Sequence, residues 1–313
     1  MRTPDLAFAA ALALAAAGAV SAQDSEDCRT VRLSDPGWTD ITSTNAIASV
    51  LLEALGYEAE VSTLSVPVGY EAMKQGDIDV FLGNWMPAQQ AFRDDLEAAG
   101  AAEVLGQNLQ GAKFTLAVPS YVAEAGVTDF ADLAEHADEF GREIYGIEPG
   151  APANQNMQRM IGADDFGLGE WSVVESGEQA MLAQVARAER AGDWIVFLAW
   201  APHPMNTAHE LTYLSGGDAY FGPDFGGAQV YTLARTGWAE ACPNAATFFR
   251  NLVFDIDMEN EMMRLILDEG AAPEEAARTY LQANPAVIEP WLEGVTTFGG
   301  EPALPAVQSA LGL

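Results

Sequence analysis

Two hydrophobic periods alternate along this chain. From residue 28 onward, short apolar runs of strand length are separated by stretches whose apolar positions recur every three or four residues. Residues 30–34 read as a strand. Ile47, Val50, Leu51, Ala54 and Leu55 then mark one face of a helix over 42–56, which Gly56 ends. Residues 57–64 read as a second strand, 70–74 as a helical turn and 78–83 as a third strand. This β-α-β-α-β order predicts a parallel sheet covered by helices.

The pattern restarts after Gly111. Strands are expected over 113–118, 142–147 and 171–175, and helices over 130–140, 154–161 and 178–191. Residues 194–200, Trp-Ile-Val-Phe-Leu-Ala-Trp, lack alternation, which predicts a strand buried on both faces. A strand over 229–233 follows, and mostly helices from residue 243. The reading is two α/β lobes, the second inserted in the first. Lobe one comprises 28–112 and 208–313, and lobe two 113–207. Crossings near 112 and 207 would form a hinge, and ligands often sit between such lobes.

Residues 1–22 stand apart from this pattern. Arg2 precedes an apolar run from Leu6 to Val20, and Val20-Ser21-Ala22 offers small residues at the cleavage positions. That is the layout of a signal peptide, and the run is shorter than the ~20 residues a bilayer span needs. The mature chain is therefore expected in the periplasm, soluble and monomeric. The remaining ~290 residues exceed the size at which one core stops growing, which again favours two lobes. Export makes a disulfide the default for the two cysteines, Cys28 and Cys242, with two buried thiols as the alternative. Fourteen basic against 46 acidic residues, a net charge of −32, argue against a nucleic acid or an anionic membrane as partner.

Four aromatics stand at strand ends, three of them where a ligand would be. Trp38 follows the first strand, Trp85 the third, Phe114 sits at the first crossing, and Trp200 ends the buried strand near the second. Open parallel sheets bind ligands beyond the carboxyl ends of their strands. Rings so placed suit a quaternary ammonium, which has no N–H to donate and spreads its charge over methyl groups. Each ring face offers apolar area and a negative quadrupole, worth ~0.5–2 kcal/mol beyond burial. A Trp after a strand is also a common packing residue, so position alone supports a two-lobed binding protein or an enzyme.

Longer motifs narrow this. Residues 37–40 (GWTD), 64–68 (LSVPV), 77–87 (DIDVFLGNWMP), 145–150 (YGIEPG) and 202–206 (PHPMN) resemble the periplasmic choline-binding proteins of ABC transporters, within the glycine betaine/choline substrate-binding family. The resemblance runs from about residue 28 to about 294. It implies the two-lobed periplasmic binding protein fold (type II), each lobe a mostly parallel sheet flanked by helices, with the ligand in the cleft. It also implies no catalysis, no cofactor and no metal, with a membrane permease and an ATPase as partners. By the same resemblance, Trp38, Trp85, Phe114 and Trp200 form an aromatic box for the trimethylammonium group. Asp40 accepts from the choline hydroxyl, and Cys28 pairs with Cys242.

The chain departs from that pattern twice. Phe114 stands where the family has Tyr, and Ala151 where it has an Asn contacting the hydroxyl. Asn154 or Asn156 is the candidate replacement, although capping a helix is the commoner role there. His203 is a candidate contact to a solute carboxylate, or a structural residue of its Pro-rich loop. Glycine betaine, carnitine and trimethylamine N-oxide are the alternative solutes, and an enzyme or a sensor subunit for quaternary amines the alternative functions.

Overall fold

The computed structural model describes residues 23–313, so the expected signal peptide lies outside the described residues. The described residues form nine strands: β1 (Thr30–Asp35), β2 (Glu58–Thr63), β3 (Val80–Met86), β4 (Ala102–Pro119), β5 (Glu143–Tyr145), β6 (Ser172–Val174), β7 (Val196–Ala201), β8 (Leu211–Tyr213) and β9 (Gly227–Arg235). The longer helices among the described residues are α1 (Thr39–Leu55), α2 (Val66–Gln75), α3 (Gln90–Ala98), α4 (Pro152–Gly162), α5 (Glu178–Ala191), α6 (Pro243–Asn251), α7 (Ile256–Leu267), α8 (Pro273–Ala283) and α9 (Ala303–Leu311).

The strands join in one curled sheet, ordered β2-β1-β3-β9-β4-β7-β5-β6, with β8 against β4. Each end is parallel: β2-β1-β3 at one, and β7-β5-β6 at the other. The middle is antiparallel, where β4 pairs with β9 through its first half and with β7 through its second. One long strand thus runs through both lobes. The type II two-lobed expectation holds, with helices flanking each half.

Buried strands match the apolar runs. Every residue of β3 except Met86 is buried, as is every residue of β7 except Ala201. Gly56 caps α1 at φ +91°, a conformation that L-residues with a Cβ avoid. Asp79 staples the lobe-one sheet. Buried at the start of β3, its carboxylate takes Arg32 from β1 (Nη2 to Oδ1, 2.8 Å) and Arg235 from β9 (Nε to Oδ1, 2.7 Å). Burial works against its charge, but the two guanidinium groups hold it below the ordinary carboxylate range.

Three expectations change. Strand β4 begins at Ala102 rather than 113. Gly106, Gln107, Asn108, Gln110 and Gly111 interrupt its apolar pattern, and its register with β9 shifts at three places there. Trp85 lies inside β3 rather than after it. Residues 208–213 do not return to lobe one, because β8 pairs with residues 117–119 of β4, and Phe221 packs on Phe114 and Phe130. The return crossing therefore falls near 222–227. There Asp224, Phe225 and Gly226 all take left-handed φ (55°, 61° and 72°), and a Cβ on Gly226 would lie 1.9 Å from the Phe114 carbonyl oxygen.

Cys28 and Cys242 form a disulfide. Beside it, Asp24 accepts hydrogen bonds from the Asn244 and Ala245 amides at the start of α6 (2.8 and 3.0 Å) and from the Tyr57 hydroxyl (2.9 Å).

Candidate functional site

The cleft begins with a turn that Asp35 shapes. At the end of β1 its carboxylate accepts from the Gly37 amide (2.7 Å) and the Thr42 hydroxyl (2.8 Å). Gly37 takes φ +86°, and the chain then enters α1 with Trp38 at the N-cap position. Trp38 and, two residues further, Asp40 are thereby set at the mouth of lobe one. Trp85 arrives from β3, next to β1. Phe114 and Trp200 are direct partners across β4 and β7.

These five residues line one pocket, completed by Ala88, Gln89, Ile147, Pro152, Ala153 and Leu198. All four rings are at most 9 % exposed and Asp40 is 2 % exposed, so the lobes are closed over the pocket. Each ring is held by a different neighbour. The Trp38 indole donates to both Glu148 carboxylate oxygens (3.0 Å each). The Trp85 indole donates to Asp40 Oδ2 (3.0 Å). Phe114 packs on Phe221 (centroids 5.4 Å apart) and Trp200 meets His203 edge-on (5.0 Å, 72°).

The pocket wall carries a single carboxylate and no basic side chain. Asp40 Oδ1 has no protein partner. Burial, then the Glu178 charge, push the Asp40 carboxyl up to about 7, against hydrogen bonds from Ile41 and Trp85. Glu148 is raised mainly by burial, opposed by the Trp38 N–H. Glu259 on α7, which packs against α1, is buried with Oε2 unpartnered. Burial, reinforced by Asp40, raises it well above the ordinary range.

The other sequence candidates lie outside the pocket wall. Asn154 Nδ2 donates to the Ile147 and Glu148 carbonyls (2.9 Å each), and its Oδ1 accepts the Ile147 amide (3.0 Å). Both amide atoms are thus spent on the 146–148 turn, and the approach is so close that a Cβ on Gly146 would lie 2.3 Å from Asn154 Oδ1. Asn156 donates to the Tyr220 carbonyl (3.0 Å). On α4 it is residues 152 and 153 that meet the pocket; Asn156 shares their face by helical spacing, but its amide is taken up by the Tyr220 carbonyl and the Arg159 guanidinium. His203 Nδ1 accepts the Met205 amide (2.9 Å), leaving Nε2 to donate to Glu178 (3.3 Å). It supports Trp200 and Glu178 from behind. Sequence reasoning did not single out Glu148, Glu178 or Glu259. Only Glu148 had a signal, its place in the YGIEPG motif.

Comparison with known proteins settles the family. A family model described as the substrate binding domain of ABC-type glycine betaine transport systems matches residues 29–283. The chain belongs to that family. A solved ABC-transporter choline binding protein in complex with choline is 53% identical to this substrate-binding protein, with a TM-score of 0.91. The match covers 92% of this chain and all of that one. An uncharacterised protein, ORF1, of Chromohalobacter salexigens is 54% identical over 41% of this chain and 83% of its own length. The glycine betaine/carnitine transport binding protein GbuC of Listeria monocytogenes is 29% identical over 54% of each chain.

Proposed function

We propose that this protein captures choline in its closed cleft and delivers it, from the periplasm, to the permease and ATPase of an ABC transporter. The observation that carries the choice of solute is Asp40. Its Oδ2 is bonded to Trp85, while its Oδ1 is buried without a partner in a pocket otherwise walled by rings, apolar groups and Gln89, whose amide is bonded to Tyr70 and the Gly83 carbonyl. A trimethylammonium group fits the four ring faces of Trp38, Trp85, Phe114 and Trp200. A hydroxyl is the donor that Oδ1 lacks, and its charge-assisted bond is stronger than a neutral one. Glycine betaine would instead bring a carboxylate into a pocket whose one charged wall group is Asp40, with Glu148 and Glu178 close behind. Uncompensated negative charge in so buried a place is costly. The solved choline complex at 53% identity supports the same solute.

The role assigned is capture, with no catalysis. Membership of a transport family supports it. Calorimetry with choline, glycine betaine and carnitine side by side tests the solute. Choline should bind at least tenfold more tightly than glycine betaine, and the reverse order would overturn the assignment. Loss of choline on incubation would overturn the non-catalytic role.

A further inference from the structure

The N-cap position of α1 is occupied by Trp38, whose side chain makes no cap hydrogen bond to the helix. Capping falls to Ser, Thr, Asp or Asn in most helices, because a side-chain oxygen must satisfy the free N–H groups of the first turn. Here the oxygens come from the other lobe. Glu178, at the start of α5, accepts the Thr39 amide through Oε2 (3.0 Å) and the Thr39 hydroxyl through Oε1 (2.6 Å). Both residues are buried, and 139 positions separate them in the chain.

We propose that Glu178 is a closure latch: lobe two caps α1 of lobe one in trans, and only when the lobes are shut. The proposal rests on the binding function argued above and deepens it by assigning a positioning residue. Glu178 does not line the pocket. It acts through Thr39, which sits between the cage residue Trp38 and the recognition residue Asp40.

Three features support a latch rather than incidental contact. First, the carboxylate is prepared within its own lobe, since His203 and Gln179 also donate to it (3.3 and 3.0 Å). Second, burial alone would push Glu178 up, yet the donors from His203 and Thr39 hold it below the ordinary range, so it meets the helix end as an anion. An anion is the species that a helix N-terminus favours. Third, the neighbouring cross-lobe bond lands on the adjacent residue, where Glu148 of lobe two receives the Trp38 indole. Opening the cleft would strip the Thr39 amide and the Trp38 indole of these partners together. The binding ring and the closed state are thereby coupled through two consecutive residues.

The test uses the mature chain and the variants Glu178→Gln, Thr39→Val and the two combined, with circular dichroism as the check on folding. Stopped-flow tryptophan fluorescence then gives choline association and dissociation separately. Each single variant should release choline roughly tenfold faster, the scale of a lost charge-assisted cap. Association should change by less than about threefold, because the open form meets the solute before the latch forms. The combined variant should release choline more slowly than the product of the two single effects predicts, because Thr39→Val removes one of the two bonds that Glu178→Gln weakens. Should Glu178→Gln fail to fold, Thr39→Val alone decides by its release rate. Unchanged release, or effects that multiply, would overturn the latch. A wild-type chain that ignores choline and binds glycine betaine would overturn the solute assignment only, and release of glycine betaine would then judge the latch.

Discussion

Asp40 enters the pocket with one oxygen bonded to Trp85 and the other unbonded. The charged groups around it are all acidic: Asp35 from β1, Glu178 from α5 and Glu259 from α7. A cation in the cage would favour the ionised carboxyl and lower its pKa from about 7. The sign follows. Below about pH 7 the empty site holds a proton that binding must expel, so affinity falls as pH falls, by up to ~tenfold per unit. Above it, affinity should level off. Calorimetry in buffers of different ionisation enthalpy should register proton release near pH 6.5, and Asp40→Asn should abolish both release and slope. A flat profile from about pH 5.5 to 8 would remove Asp40 from cation recognition. Trp85→Ala should weaken choline by ~1–3 kcal/mol, from lost burial and cation–π attraction. Trp85→Phe keeps a ring but removes the Asp40 donor and should fall between, as the same titrations would reveal. The rings were legible in the sequence because large aromatics beside Gly and Pro at strand ends are conspicuous. Of the carboxylates, Asp40 and Glu148 had the GWTD and YGIEPG motifs to mark them, but Glu178 and Glu259 had nothing. One Glu among 46 acidic residues carries no mark until folding buries it. A helix start next to a pocket permits either role for an Asn, and only the folded turn shows Asn154 bonded to the backbone of residues 147 and 148.

At the scale of elements, apolar runs disclosed β1, β3 and β7, since strands buried on both faces need no alternation. The first half of β4 stayed hidden because its polar and glycine residues interrupt the pattern at the crossing between lobes. The buried carboxylate of Asp79 carries no mark in the sequence, and its partners on β1 and β9 became visible only in the sheet. Arg32 and Arg235 meet on its Oδ1, with Arg32 also on Oδ2 (2.8 Å from Nε). Asp79→Asn keeps the shape and removes the charge, leaving two half-buried guanidinium groups without their anion. Unfolding in guanidinium chloride should show a loss of ~2–4 kcal/mol, toward the lower part of the range for breaking buried ion pairs because both arginines retain solvent access. Choline affinity, measured on the folded variant, should change little, because Asp79 lies outside the pocket wall. A loss under ~0.5 kcal/mol would show that the staple is merely a surface pair.

The whole molecule separates what keeps it folded from what lets it close. The cleft is bounded by β3, β4, β7 and the starts of α1 and α4. The Cys28–Cys242 disulfide lies away from it, tying the segment before β1 to the start of α6 across 214 residues. Asp24 adds a second tie to the same helix end. Both ties stay within lobe one, so neither opposes hinge motion. A cross-link of this span removes unfolded-state entropy worth ~3–5 kcal/mol, and replacing it typically costs 2–5. The double variant Cys28→Ser, Cys242→Ser should therefore unfold at lower denaturant with choline affinity within about twofold of wild type. Choline should still raise its midpoint, since a ligand that binds only the folded state stabilises by mass action. The contrast with Glu178→Gln is the informative one, because that change should speed choline release while leaving the clasp of lobe one intact. If removing the disulfide instead weakened choline in step with stability, the clasp would reach the pocket through α1. The separation of folding from closure would then be wrong.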